Sequence, residues 1–595
     1  MRNHAQIQFV QAILLCQSVY SFGETFAGTK PSEAFFDEGL PGGLQLLQLS
    51  AQKNDEGRTG GKKKPNVLFI LADDLGFANV GYLREGNHVK SREVQTPVID
   101  DLAKTGVRLN RMYVHYMCSP TRSAIQSGRA PINVNVLNSY IYNHNPEDPV
   151  GGYAGIPRNM TGLAELMRRG GYDTHYVGKW DAGAATPDHS PAGRGYDTSL
   201  HYFGHSNDAW TFNIEDVMCS SSPVADLFEM SSQTPFPGRP ATWLQNPDSC
   251  TDQVQDGCMY EDEIFAEKVQ AIIQEHNEAS PFFIFWAPRV AHGPLQVPEN
   301  TLSKFSFVDY DKRRIYTSMV NWLDTRIGYV VQLLKDRNMY ENTLIIFSSD
   351  NGGPVDAGAN NFPLRGGKYS NFDGGIRVPS FVSGGFVPEV RRGSWHDGLM
   401  AAWDWYATLA GLAQVDHTDH KAAAAGLPAT DSFDLWPTLS TWDYESPRTE
   451  LVLGNAKGGY AGRHEGSTVV GGLIWPPYKL VLGAADGYGE SVSLWSAPIA
   501  PNASSTGFFT SRPDAVCGRT PQNGCLFNIW EDEGEHNNLA QSQPGLFEEL
   551  VARADEMQKT VYSPVRGQDG DSTKFLDFCK ANIEWGRFYM RPWVS

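Results

Sequence analysis

The sequence predicts an α/β fold: a large, mostly parallel sheet flanked by helices, followed by a smaller β-rich C-terminal domain. Three observations predict it. Continuous apolar runs at Asn66–Ala72, Phe282–Trp286 and Leu344–Ser349 have the character of strands buried on both faces, and Tyr172–Val177 reads as a fourth strand. Stretches with helical spacing separate them, which is the alternation of a parallel sheet covered by helices. Polar clusters follow directly after the runs, and open α/β sheets gather their ligand sites at the carboxyl ends of strands.

Taken in order, residues 1–23 carry Arg2 and then the apolar stretch Phe9–Cys16, which resembles a secretory signal and is too short to span a membrane. Residues 24–64 are punctuated by Gly and Lys and read as a poorly ordered leader. The large α/β domain is expected over 65–441. Helices are expected from Pro97 to Lys104, Thr161 to Arg169, Phe265 to His276 and Leu399 to Leu412. A long one holds Ile315, Met319, Leu323, Ile327, Val330 and Leu334 on one face. The stretches 138–158 and 204–259 lack periodicity and read as a surface loop and an irregular insertion. Past residue 441 short apolar pieces such as Leu451–Leu453 and Tyr478–Leu482, divided by Gly and Pro, give the smaller domain (442–595), with a late helix from Leu546 to Gln558.

The chain has 595 residues and a formal charge of −19. That acidity argues against a nucleic-acid binder, which carries a basic face. It leaves room for an anionic substrate, because local cations act within a screening length of about 8–10 Å. Of eight cysteines, Cys16 falls in the signal and Cys118 in a motif, leaving six. An even remainder suits a secreted protein with disulfides; Cys517–Cys525 is the first expected pair and Cys250–Cys258 the second. Asn159 and Asn502 begin Asn-x-Ser/Thr tripeptides, as in a glycoprotein.

The candidate site is assembled from strand ends. Asp73-Asp74 follow Asn66–Ala72 and Asp350-Asn351 follow Leu344–Ser349. Adjacent carboxylates repel unless a cation joins them. This all-oxygen set selects calcium or magnesium over zinc. Arg122, Lys179 and Lys368 are cations able to neutralise an oxyanion, and His292 is placed to move protons. Cys118-Ser119-Pro120 reads as a helix start, where free N–H groups favour an anion, and Arg122 lies one turn on.

Cys118-Ser119-Pro120-Thr121-Arg122, continued to Gly128-Arg129, resembles the signature of the type I, formylglycine-dependent sulfatases. The resemblance runs from about Pro65 to Leu539. It implies the alkaline-phosphatase-like sulfatase fold. Within it, Asn361–Lys368 and the Gly-Gly-x-Arg after it are similar to the arylsulfatase B-like, N-acetylgalactosamine-4-sulfatase group. By that resemblance Asp73, Asp74, Asp350 and Asn351 bind one calcium ion together with residue 118. The formylglycine-generating enzyme converts Cys118 to Cα-formylglycine in the secretory pathway, and Arg122 holds it. Lys179, His292 and Lys368 meet the sulfate, and His292 or Lys368 protonates the leaving alcohol. One hydroxyl of the hydrated aldehyde attacks sulfur and the second expels sulfate. The implied substrate is a sulfated carbohydrate or an aryl sulfate, and the implied location is secreted or lysosomal.

One position departs from the family pattern Gly-Lys-Trp-His-x-Gly: here the stretch is Gly178-Lys179-Trp180-Asp181-Ala182-Gly183. The missing histidine serves the family in removing a proton as sulfate is expelled. Asp181 can act as a base but adds negative charge beside an anion, and His175 and His189 are candidates to compensate. Two alternatives stay open: a phosphodiesterase or phosphonate hydrolase of the same superfold, and a degenerate sulfatase-like protein that only binds sulfated glycans.

Overall fold

The computed structural model describes residues 64–84, 92–137, 143–219, 222–231, 239–240, 250, 255–457, 468–484, 495–496, 516–566, 572–581, 583–584 and 587–589. The expected signal and nearly all of the expected leader, with Cys16, lie outside the described residues, as does Asn502. Asn159 is half-buried.

The central sheet holds ten described strands in the order 394–396, 107–109, 380–383, 343–349, 66–72, 282–287, 173–179, 198–202, 228–230, 239–240. Its middle five are parallel. Asn66–Ala72 pairs with Thr343–Ser349 on one side and Phe282–Ala287 on the other, and Asp173–Lys179 and Thr198–Tyr202 continue the series. The register aligns Ala72 with Ser349 and Ala287 with Gly178, so these carboxyl ends lie level. Antiparallel strands flank the parallel middle.

Side chains of a strand alternate between faces, and here both faces are buried. Val67, Phe69 and Leu71 enter one hydrophobic cluster, with Leu163 and Trp405. Leu68, Ile70 and Ala72 enter the other, with Ile99, Ile264 and Tyr316. The helices Cys118–Ser127, Leu163–Arg169 and Asp404–Ala413 therefore cover one face. Pro97–Thr105, Glu261–Glu275 and the 26-residue Asp311–Asp336 cover the other. The four expected strands and the long helix stand where the apolar pattern put them, within a few residues at each end.

The stretch 204–259 is more regular than expected: Asn213–Cys219 and Ser222–Ala225 pair antiparallel, and Phe228–Met230 joins the central sheet. Asn213–Cys219 sets Glu and Asp side by side among its apolar residues, and the others span four residues or fewer, so periodicity did not show them. Cys219 is bonded to Cys579, 360 positions away, and the two expected pairs, Cys250–Cys258 and Cys517–Cys525, are both formed.

Toward the C-terminus, Leu451–Ala456, Thr468–Trp475, Tyr478–Val481 and Cys525–Asn528 form a four-stranded antiparallel sheet, backed by the helix Pro544–Gln558. A fully buried charge cluster ties this sheet to the loop that carries Lys368. Lys479 Nζ lies 2.6 Å from Asp373 Oδ1 and 2.8 Å from Glu535 Oε1, and the Asp373 N–H donates to Glu535 Oε2. Removing the cation leaves two buried carboxyls facing each other. Lys479→Met is expected to cost about 3–5 kcal/mol of stability. Burial already pushes the Glu535 carboxyl up to about 7, so it can take a proton. Urea unfolding should therefore show a larger loss at pH 8 than at pH 6.

Candidate active site

Cys118 opens the helix Cys118–Ser127, all ten residues of which are buried. Proline is accepted in this first turn because its absent N–H has no helical partner to lose. Gly128 ends the helix at φ 68°, and a Cβ there would lie 2.5 Å from the Tyr406 ring. Gly128 is thus required both by backbone and by space. Cys118 is the free cysteine among the described residues, with Sγ 3.5 Å from Asp73 Oδ1. Burial, with Asp350 next, pushes its thiol well above the ordinary range.

The approach to this helix contains a buried histidine with its own consequence. His115 Nδ1 accepts from the Met117 N–H at 3.2 Å, a bond an imidazolium cannot make. Burial holds His115 down to about 3. A histidine depressed on folding contributes stability above its unfolded pKa of about 6.5 and loses it as pH falls toward the folded value. At pH 5 this single group should cost the protein about 2 kcal/mol. In His115→Asn the fall in unfolding free energy between pH 7 and pH 5 should shrink by that amount.

Arg122 faces the same way as Cys118. Its Nε and Nη2 donate to Asp350 Oδ2 at 3.0 and 2.8 Å, Nη1 donates to the Lys179 carbonyl at 2.8 Å, and Nη2 lies 3.4 Å from Asp73 Oδ2. Lys179 Nζ is 2.7 Å from Asp73 Oδ2, and Lys368 Nζ is 2.7 Å from Asp74 Oδ1. His292 Nδ1 sits 2.6 Å from the Gly293 carbonyl. A carbonyl only accepts, so Nδ1 carries the hydrogen and Nε2 faces Asp74 Oδ2 at 3.7 Å. Burial, then Lys368, brings His292 down to about 4. Burial works against ionised Asp73 and Asp74, yet Lys179 and Lys368 respectively lead the groups that draw them below the usual carboxylate range. Asp350, beside Asp73, is pushed up by burial.

The expected metal ligands converge. Asp74 takes a left-handed backbone, φ 58°, and its N–H donates to Asp350 Oδ1 at 3.1 Å. Asn351 Nδ2 donates to Asp74 Oδ1 at 2.6 Å, while Asn351 Oδ1 is buried without a hydrogen-bond partner. Ligand atoms of Asp73, Asp74, Cys118 and His292 lie within 4.8 Å of one another. A buried, unpartnered amide oxygen beside three carboxylates is a donor set that a hard cation satisfies. The residues present therefore fit a calcium-type ion.

Sequence reasoning missed two contributors. Asn361 binds three loops together: Oδ1 accepts from the N–H groups of Phe77 and Gly353, and Nδ2 donates to the Gly353 and Gly366 carbonyls. It joins the Lys368 loop to the loops that follow Asp74 and Asn351. The second is His205, whose Nδ1 is 2.8 Å from Asp181 Oδ1. His175 and His189, the expected compensating histidines, are engaged elsewhere, with Thr198 and Thr186. His205 lies three residues beyond Tyr202, the end of the fifth parallel strand, so strand-end logic would have found it had that strand been read.

Residues 65–415 match the sulfatase family. Mouse (Mus musculus) arylsulfatase J is 31% identical over 534 residues, spanning 87% of this chain and 80% of that protein. Human (Homo sapiens) N-acetylgalactosamine-6-sulfatase is 28% identical over 390 residues, spanning 64% of this chain and 67% of that protein. Among solved structures, Ps i-CgsB in complex with k-i-k-neocarrahexaose shares the fold, with a TM-score of 0.63 at 24% identity over 86% of this chain and 96% of that one. With the match covering the central sheet and the charged cluster around Cys118 at its carboxyl edge, the chain belongs to the sulfatase family, whose members are sulfuric ester hydrolases.

Proposed function

We propose that this sulfatase hydrolyses sulfate esters of sugars or phenols, with Cys118 matured to Cα-formylglycine and one calcium ion held by Asp73, Asp74, Asp350, Asn351 and residue 118. The observation that carries the reading is the buried meeting of Cys118 with three carboxylates and three cations at one sheet edge. Formylglycine, as its hydrate, supplies a hydroxyl nucleophile and a second hydroxyl. Calcium supplies positive charge against the sulfuryl oxygens.

The chain's own residues do the rest. Arg122 fixes Asp350 and lies beside residue 118. Lys179 and Lys368 flank the same spot and hold the sulfuryl oxygens, where preorganised positive charge is a large part of catalysis. His292 or Lys368 gives the departing alcohol its proton; both lie against Asp74. Asp181 stands in the place of the family's histidine.

Sugar substrates are supported by the relatives' names, an N-acetylgalactosamine-6-sulfatase among them, and by the carbohydrate complex of the structural neighbour. The finer kinship to the N-acetylgalactosamine-4-sulfatase group rests on Asn361–Lys368 and Gly374-Gly375-Ile376-Arg377. Three disulfides suit an oxidising compartment, and no described helix is long and apolar enough to cross a membrane. The disulfides support passage through the secretory pathway, where the formylglycine-generating enzyme would act, with a catalytic part over 65–441 and a smaller part over 442–595.

Protein from a secretory host, incubated with N-acetylgalactosamine 4-sulfate, the 6-sulfate and 4-nitrophenyl sulfate, tests this by free sulfate. Faster release from the 4-sulfate supports the full reading. Faster release from the 6-sulfate keeps the enzyme and moves the group. Release from none of the three, by calcium-replete protein carrying the aldehyde, would sink it.

A further inference from the structure

Asp181 replaces an imidazole with a carboxylate at the edge of the nucleophile, and the structure places an imidazole directly behind it. Asp181 holds a left-handed backbone at φ 46°, a conformation that non-glycine residues take at a cost. Its side chain is 3% exposed. The two carboxylate oxygens have different surroundings. Oδ1 accepts from the Ser119 hydroxyl at 2.7 Å and lies 2.8 Å from His205 Nδ1. Oδ2 is buried without a hydrogen-bond donor and lies 3.7 Å from Lys179 Nζ. Lys179 Nζ in turn touches Asp73, and Asp73 touches Cys118 Sγ. The unpartnered oxygen thus faces Lys179, which links it through Asp73 to the nucleophile, while the satisfied one is held by Ser119 and His205.

The loop that presents His205 is itself fixed. Asp226, fully buried, accepts from the Phe203 and Gly204 N–H groups at 2.9 and 2.8 Å, one on each oxygen. The His205 side chain remains 29% exposed. A carboxylate with one oxygen turned inward and an imidazole reaching from its other oxygen to water is a route for a proton.

We propose that Asp181 and His205 form the proton-accepting pair for release of sulfate from residue 118; the assignment rests on the formylglycine reading above. The unsulfated hydroxyl of residue 118 gives its proton to Asp181 Oδ2. Its O–H electron pair becomes the second bond of the restored carbonyl. The carbon–oxygen bond to the sulfate breaks, and sulfate leaves with the electron pair of that broken bond. Water removes the proton from Asp181 along the His205 edge. His205 and Ser119 hold Oδ1, so that Oδ2 keeps its aim. Burial alone would raise the Asp181 carboxyl, and His205 and then Lys179 draw it down to about 2. A sulfuryl group against Lys179 adds a negative neighbour and shields that cation, and both effects move Asp181 back toward a useful base.

The test uses Asp181→Asn, His205→Gln and Asp181→His in full-length protein from the secretory host, mixed with 4-nitrophenyl sulfate and quenched in acid. The readout besides turnover is the mass of the peptide containing residue 118, before and after mixing. Asp181→Asn and His205→Gln should carry the aldehyde beforehand and afterwards the sulfate ester of its hydrate, heavier than the aldehyde by one H2O and one SO3. They should release nitrophenol in a burst equal to the enzyme, then turn over roughly 10²-fold more slowly than wild type. Asp181→His should turn over without the adduct, even combined with His205→Gln. Aldehyde-bearing Asp181→Asn and His205→Gln that keep the wild-type rate, or slow without the adduct, overturn the pair alone. Wild-type protein with no aldehyde at residue 118 overturns the formylglycine reading and the pair with it.

Discussion

Cys118→Ala is expected to abolish sulfate-ester turnover, by about 10⁴-fold or more, while the protein still folds. Around Cys118 stand carboxylates, two lysines, an arginine and a histidine, held to one another in ion pairs, and none of them can supply the two hydroxyls of an aldehyde hydrate. A group that forms the covalent bond cannot be replaced by its neighbours, and removing one commonly costs orders of magnitude. Folding should survive because alanine suits a helix and loses only the sulfur contact to Asp73. Cys118→Ser separates two roles. Serine has one hydroxyl and lacks the second needed to expel sulfate, so at most one turnover is expected. Sulfate release and circular dichroism on both variants check these outcomes together.

Chelation is the second large effect. Asp73, Asp74 and Asp350 bring three carboxylates into one fully buried place, with Asn351 Oδ1 unpartnered among them. A bound hard cation offsets their repulsion and satisfies that oxygen. EGTA treatment should therefore abolish turnover and lower the melting temperature, and calcium should restore both. At a hundredfold excess of calcium over its Kd the stabilisation is about 2.7 kcal/mol. Zinc, which prefers nitrogen and sulfur ligands, should restore neither. A melting temperature indifferent to EGTA and calcium would count against the ligand set.

Which parts of this were legible follows from what each element buries. Asn66–Ala72 and Thr343–Ser349 are covered on both faces, so their sequences are apolar throughout and their polar ends stand out. Thr198–Tyr202, at one end of the parallel five, is also largely buried, yet it reads Thr-Ser-Leu-His-Tyr, because Thr198 bonds His175 and His201 is buried against Phe203. That strand went unread, and His205 with it. Thr468–Trp475 was obscured by Gly471 and Gly472, which lie close to neighbouring strands; a Cβ on Gly472 would meet the Leu480 carbonyl at 2.3 Å. The side chains that meet at the sheet edge, Asp73, Asp74, Cys118, Arg122, Lys179, His292, Asp350 and Lys368, were legible because their motifs are local. The Lys479–Asp373–Glu535 cluster was not, since its members are brought together only by the packing of the small sheet. The paired cysteines eight residues apart were legible for the same local reason, whereas Cys219–Cys579 depends on the whole fold.

The most direct test of the central claim is the mass of the proteolytic peptide carrying residue 118, from protein made in a secretory host with an active formylglycine-generating enzyme. The account predicts a peptide lighter by the exchange of –CH2SH for –CHO, reactive toward a hydrazide. An unmodified thiol at residue 118 in that host would contradict it.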